Sequence, residues 1–152
     1  MSTVKYAEDL TVGDVVELGE HTVTEAELLD FAGTWDPQDF HVDAEAAAKG
    51  AFGGLIASGL HSMSVLQRLS ALGWYRNLSV ICGRGVRDVR FWRPVRPDDT
   101  LTGTIRVDEI VLDDHGRGLV TTTSELRDAG GNVMLHAVMD LYVRRRPEPA
   151  IG

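Results

Sequence analysis

With 152 residues, 43% of them hydrophobic, 25% charged and only five prolines, the chain has the composition of one globular domain, which excludes disordered and collagen-like classes. A domain of this length buries roughly 70% of the surface its unfolded chain exposes, so neither a disulfide framework nor a structural metal is needed to hold it together. The formal net charge of -8 opposes nonspecific affinity for nucleic acid, because a phosphate backbone attracts basic surfaces and repels acidic ones. The single Cys82 cannot close an intramolecular disulfide, and no cysteine cluster exists for zinc, so a reducing compartment is expected. The opening MSTVKYAEDL lacks the apolar centre of a signal peptide, and no run approaches the roughly 18 apolar residues of a membrane helix. No membrane association and a cytoplasmic location are expected.

No internal repeat, linker or low-complexity tract divides the chain, so one domain over residues 1–152 is expected. A first strand is predicted over Val12 to Leu18. Thr24 followed by Glu27 is a capping-box pattern, and Leu28, Leu29, Phe31 and Ala32 supply the apolar side of a short helix. Trp35-Asp36-Pro37 should end that helix, because proline pushes the residue before it out of the helical conformation. Asp43 can cap a second short helix through Ala44–Ala48, stopped by Gly50 and followed by the loop Phe52-Gly53-Gly54. The longest helix is predicted from Ser58 as N-cap to about Leu72, with Gly73 as its stop. Leu60, Met63, Leu66, Leu69 and Leu72 recur every third residue along it and are expected on one buried face.

Beyond Leu78 the chain turns rich in Val, Thr, Ile and Arg. Strands are expected over Val80 to Val95, Leu101 to Leu112, Leu119 to Arg127 and Val133 to Arg145. Asp113-Asp114-His115-Gly116 and Asp128-Ala129-Gly130-Gly131-Asn132 supply turns suited to antiparallel hairpins. The sum is an α+β domain in which one long helix covers an antiparallel sheet of five or more strands. Arg144, Arg145 and Arg146, beside Pro147, read as a solvated chain end.

Candidate chemistry concentrates in Trp35-Asp36-Pro37-Gln38-Asp39-Phe40-His41, where an acid and an imidazole stand five positions apart between two helices. A tight turn there can aim Asp36 and His41 at one point, the carboxylate accepting a proton from water and the imidazole completing the transfer. On spacing alone the structural alternative is favoured, with Asp36 serving the turn and His41 lining the loop.

The surrounding residues change that balance. Phe31-Ala32-Gly33-Thr34-Trp35-Asp36-Pro37-Gln38-Asp39-Phe40-His41 resembles the hydratase motif of the MaoC-like, (R)-specific enoyl-CoA hydratase family. Phe52 to Leu60 resembles that family's loop into its central helix, and Phe91 to Leu101 its later strand-and-turn signature. The three blocks occur in family order over most of the chain. The resemblance implies a hot-dog fold, in which an antiparallel sheet wraps a long central helix. It also implies hydration of trans-2-enoyl thioesters of CoA or an acyl carrier to (3R)-hydroxyacyl products, with no metal or redox cofactor. Carried over by position, the catalytic residues are Asp36 and His41; Gly59 offers a backbone N–H to the thioester carbonyl, and Ser64 matches a small hydroxyl residue near the pair. A homodimer or higher homo-oligomer is implied as well. The acyl tail is expected beside the central helix, against Leu60, Met63 and the loop Phe52 to Ile56.

Three positions depart from the commonest family pattern: Gln38 stands for Asn, Asp39 for Pro and Asp98 for a turn Gly. A longer amide at position 38 can relocate a hydrogen bond to substrate or to the pair, and Asp98 is compatible with a left-handed turn. Among other polar residues, His21, His61, His115 and His136 lack carboxylate or cysteine partners at ligand spacing, and His61 reads as a packed or interface residue. Arg84, Arg87, Arg90, Arg93 and Arg96 must split between two faces of a strand, most of them solvated or ion-paired and one or two available to CoA phosphates. Trp74, Tyr75 and Trp92 read as core, rim or interface aromatics. Two alternatives remain beside the hydratase: a hot-dog acyl-CoA thioesterase, and a non-catalytic hot-dog subunit of a larger complex, which would be expected to have lost one member of the pair.

Overall fold

A computed structural model of the chain describes residues 3–150. Five strands, β1 (Val15–Thr22), β2 (Val80–Phe91), β3 (Thr100–Leu112), β4 (Arg117–Arg127) and β5 (Val133–Arg144), form one antiparallel sheet in the order β1-β3-β4-β5-β2. Four helices, α1 (Glu25–Trp35), α2 (Asp39–Val42), α3 (Ala44–Ala48) and α4 (Gly59–Gly73), occupy the span between β1 and β2. The long α4 lies against the inner face of the sheet, which is the hot-dog arrangement. No helix among the described residues is long and apolar enough to cross a membrane.

The period-two pattern is clearest in β4, where Gly118, Val120, Thr122, Ser124 and Leu126 are buried and their neighbours are half-exposed. Both expected hairpins form. Asp113 accepts backbone N–H bonds from His115 and Arg117 at 2.9 Å, and Asp128 closes the second turn by accepting from Gly130 and Asn132. The first strand begins later than expected, at Val15, because Gly13 takes a positive φ of 97° in a turn where Thr11 N–H bonds Asp14.

The expected run Val80 to Val95 ends at Phe91, and Arg93 and Arg96 leave the strand for the loop beyond it. Asp88 has a φ of 52° within an irregularity of the β2–β5 pairing and accepts from Arg90 Nε at 2.9 Å. The bulge re-aims the chain toward Phe91 and Trp92. As an outer strand, β2 is exposed on both faces from Ile81 to Asp88.

The buried face of α4 differs from the expected leucine stripe. Leu60 and Leu72 are 57% and 41% exposed, whereas His61, Ser62, Val65, Leu66, Leu69 and Ser70 are buried. The cause is geometric: at about 100° per residue, a strict spacing of three drifts by about 60° at each step and cannot stay on one side. Pairs recurring every fourth residue do stay together. Ser70 tolerates burial because its hydroxyl donates to Leu66 O at 2.7 Å.

The long helix does end at Gly73, but the glycine is not a left-handed cap. Its φ is not positive, and a Cβ placed there would meet Leu18 O at 2.9 Å and Leu18 Cα at 3.0 Å. Glycine therefore lets the end of α4 rest on the backbone of β1. Gly73→Ala is expected to cost roughly 1–3 kcal/mol, because β1 backbone has to move, and a lowered denaturant midpoint with unchanged slope would register it.

The arginine-rich end is solvated, with Arg144 and Arg146 exposed, but it is also tied down. Arg145 lies 3.5 Å from Glu8 and donates to Asp113 O, while the Arg146 side chain pairs with Asp9 and its N–H bonds Glu8 at 2.9 Å. These contacts tie the short turn Ala7–Asp9 to the end of β5.

Candidate active site

Thr24 caps α1 as expected, its hydroxyl accepting the Glu27 N–H at 3.1 Å. The reciprocal half of the capping box is absent, because the Glu27 carboxylate turns instead toward His21 and His61. Asp36 stands at the C-cap of α1, its N–H bonded to Ala32 O and its backbone out of the helical region at φ -155°, as Pro37 requires. Two residues beyond Pro37 the chain re-enters a helical turn, α2, which carries His41 on its buried side.

Asp36 Oδ2 and His41 Nε2 consequently face each other at 3.4 Å, with the imidazole 5% and the carboxylate 21% exposed. His41 Nδ1 lies 2.7 Å from Ile56 O. A carbonyl oxygen only accepts, so Nδ1 carries a proton, and in the neutral ring Nε2 presents its lone pair toward Asp36 and the adjoining cleft. Asp36 Oδ2 accepts from Ser58 Oγ at 2.7 Å, and Oδ1 accepts from Gln38 Nε2 at 2.7 Å. The Ser58 bond first, then the Gln38 bond, hold the Asp36 carboxyl below the usual carboxylate range despite some opposing desolvation, and His41 adds to this only when its ring is protonated. The carboxylate is an anion whose two oxygens are both already engaged.

The pair opens onto a cleft of about 420 Å³ lined by Phe40, Phe52, Ile56, Gly59, Ser62, Phe91, Trp92, Arg93, Val95 and Met134, among others. One apolar wall is thus supplied by α2 and the following loop, the other by the end of β2 and the loop after it. Gly59, the first residue of α4, has an N–H that the helix itself does not use, at the positive end of the helix dipole. Its lack of a side chain has a local cause: a Cβ would fall 2.6 Å from Cζ of Phe91.

Of the four residues named from sequence, the structure brings Asp36, His41 and Gly59 to this cleft and leaves Ser64 elsewhere. Ser64 Oγ donates to Leu60 O at 2.9 Å, and the residue lines a separate surface depression with His21, Glu27, His61 and Arg68. Five residues of α-helix rotate a side chain by about 140°, so Ser64 turns away from the side Gly59 occupies, whereas Ser62 at three residues stays with it. Ser62 could have been found from that arithmetic. The contact of Ser58 with Asp36 carried no sequence signal, since the two are 22 positions apart. Of the residues expected beside the acyl tail, Phe52 and Ile56 line the cleft, whereas Leu60 is exposed and Met63 packs against the core.

The remaining candidates also find places. Arg87 pairs with Asp140, Arg90 with Asp88, and Arg96 donates to Phe52 O at 2.7 Å, fixing the loop that walls the cleft. Trp74 is core, Tyr75 packs against it, and Trp92 is 61% exposed on the cleft. Asp98 adopts φ 70°, as a turn residue replacing glycine must. Carboxylates reach the histidines from other elements: His136 lies 3.5 Å from Asp88, and His21 and His61 share Glu27. Among the described residues, no group of three His, Cys, Asp or Glu side chains is placed to hold a metal ion.

A five-stranded antiparallel sheet around one long helix defines a hot-dog domain, here with an acid and an imidazole beside that helix's N-terminus. Residues 9–129 match the model of the MaoC like domain, and the chain belongs to the MaoC-like dehydratase family. A 3-hydroxyacyl-thioester dehydratase Z of Mycobacterium tuberculosis is 31% identical over 150 residues, covering 95% of this chain and 98% of that protein. The crystal structure of a MaoC-like dehydratase from Rhodospirillum rubrum matches with a TM-score of 0.86 at 34% identity, over 95% of this chain and 99% of that one. An R-hydratase of Pseudomonas aeruginosa shares the fold at a TM-score of 0.75 and 23% identity, covering 97% of this chain and 96% of its own.

Proposed function

We propose that the chain adds water across the double bond of a trans-2-enoyl thioester, in reversible equilibrium with dehydration of the (3R)-3-hydroxyacyl thioester. The observation carrying this reading is the Asp36–His41 pair, 3.4 Å apart, on an apolar cleft at the free N-terminus of α4. In this reading the enoyl thioester lies along the cleft with its carbonyl oxygen at the Gly59 N–H and its acyl chain against Phe40, Phe52 and Met134. A water held between Asp36 and His41 loses a proton to His41 Nε2 as its oxygen bonds the β-carbon. The displaced π electrons pass to the carbonyl oxygen, where the Gly59 N–H and the helix dipole stabilise the enolate. Asp36 orients the water and stabilises the imidazolium, which returns its proton to the α-carbon on the same face.

This assigns the proton-accepting step to the imidazole rather than to the carboxylate, because the bonds from Ser58 and Gln38 hold the Asp36 carboxyl below its ordinary range and make it the weaker base, while a remaining lone pair orients the water. The equation balances with water alone, so the reading requires no metal or redox cofactor. CoA and carrier-protein thioesters are both admitted as substrates.

Purified protein incubated with crotonyl-CoA and longer enoyl-CoAs tests the proposal. Loss of the conjugated chromophore without release of free thiol is expected; thiol release without hydration would establish a thioesterase instead, and inertness toward every enoyl thioester would leave a non-catalytic subunit. We further propose a homodimer. Strand β2 presents an unpaired edge beside the exposed apolar residues Ile81, Val86, Phe91 and Trp92, and such an edge is completed by a second copy. Light scattering at micromolar concentration should give twice the chain mass, and a fully active monomer would refute the association.

A further inference from the structure

Glu27 lies outside the cleft, yet it joins three elements. Its carboxylate oxygens stand 2.8 and 3.0 Å from His21 Nε2 at the end of β1, and Oε2 stands 2.8 Å from His61 Nε2 in the first turn of α4. His61 is 4% exposed, its ring is stacked on Phe31 at 4.8 Å, and its Nδ1 is buried without a hydrogen-bond partner. A carboxylate only accepts, so His61 donates through Nε2, and Glu27 is the sole polar anchor of that ring among the described residues. A helix built for stability alone would carry an apolar side chain here. Instead the fold keeps a buried imidazole with one nitrogen unsatisfied, in the turn that also supplies Gly59 and Ser62 to the cleft.

The placement along α1 gives the arrangement its meaning. Glu27 is in the first turn of α1 and Asp36 is its C-cap, nine residues and about 13 Å apart along the helix. Each reaches the same end of α4: Glu27 bonds His61, and Asp36 bonds Ser58. The first turn of α4 is therefore held from both ends of α1, and through His21 from the sheet.

We infer that Glu27 is a positioning residue, which through His61 fixes the N-terminus of α4 so that the Gly59 N–H and the Asp36–His41 pair keep a common geometry around the substrate. This rests on the hydratase reading for its catalytic consequence but not for its structural one. Because the clamp touches neither substrate nor water, its loss should affect the reacting geometry more than ground-state binding. A displacement of about 1 Å at a reacting centre lowers turnover by up to about 100-fold.

The test uses Glu27→Ala and His61→Phe, the latter keeping a ring to stack on Phe31 while removing the bond to Glu27. In each, kcat for crotonyl-CoA hydration should fall about 10- to 100-fold with KM within about twofold. Hydrogen exchange of the substrate-free protein should accelerate at Leu60 and Ser62, whose N–H groups bond Ser58, while 65–73 keeps parental protection. Glu27→Gln retains one acceptor for His61 and should recover most of kcat. If Glu27→Ala does not fold, His61→Phe decides the matter. Parental kcat or unaltered exchange at Leu60 and Ser62 in His61→Phe overturns the clamp. Accelerated local exchange in a protein whose parent hydrates no enoyl thioester supports the clamp and defeats the hydratase reading.

Discussion

Asp36→Asn is expected to lower kcat for crotonyl-CoA hydration by about 100- to 10,000-fold without unfolding the protein. The amide is nearly the same shape as the carboxylate, and its oxygen can still accept from Ser58 Oγ, while Gln38 can rotate to accept from the new NH2 group. What disappears is the anion facing His41 Nε2 at 3.4 Å, and with it the stabilisation of the imidazolium that forms when water gives up its proton. His41→Gln should cost a similar factor, because it removes the lone pair itself. The double variant should be scarcely worse than either single one, since two groups serving one proton transfer each account for nearly its whole effect. Initial rates with saturating crotonyl-CoA, alongside circular dichroism of each variant, decide the outcome. A folded Asp36→Asn protein working at the parental rate would remove the mechanism, and undiminished thiol release by that variant would point to hydrolysis using other residues.

The parts of this site that sequence disclosed are those built from local constraints. Thr24 and Ser58 are N-caps because a side-chain oxygen near an apolar run meets unpaired N–H groups, and Asp36 leaves the helix because Pro37 forbids it to stay. The Asp113 and Asp128 turns followed from their composition in the same way. Contacts between distant segments were opaque: Ser58 to Asp36, Glu27 to His61, Arg145 and Arg146 to the turn at Glu8 and Asp9. Each joins polar residues whose separate local readings were unremarkable. Thr24 and Glu27 misled in a specific way, because the pattern of a capping box accounted for Glu27 while its carboxylate was engaged with two histidines. The leucine spacing of α4 misled for another reason, that apolar residues at intervals of three circle the helix, and the side buried against the sheet includes Ser62 and Ser70. Ser64 shows the same error at the level of function, a residue transferred by motif position to the wrong side of its helix.

Ser58→Ala is expected to reduce both stability and turnover, and the stability loss should depend on pH. Ser58 is fully buried, and its one hydroxyl accepts the Leu60 N–H at 3.2 Å while donating to Asp36 Oδ2 at 2.7 Å. Truncation removes the N-cap of α4 and the hydrogen bond that contributes most to holding the Asp36 carboxyl below its ordinary value of 3.8. The two losses together are about 2 kcal/mol at pH 7, about half of it from the cap. A carboxyl with a depressed pKa in the folded state contributes stability that is present above 3.8 and lost as pH falls through the folded value, which lies lower. The stability gap between parent and variant should therefore be widest near neutrality and narrow below pH 3.8, leaving the pH-independent cap. Denaturant titrations of both proteins at several pH values measure it, and a gap constant from pH 7 to about pH 3 would show that Ser58 serves only the helix end. Turnover should fall about 10- to 100-fold at neutral pH, where Asp36 stays ionised in the variant but loses the bond that aims it at His41. A Ser58→Thr variant, which restores a hydroxyl at the same backbone position, should close the neutral gap to the parent and restore turnover together if one hydrogen bond underlies both.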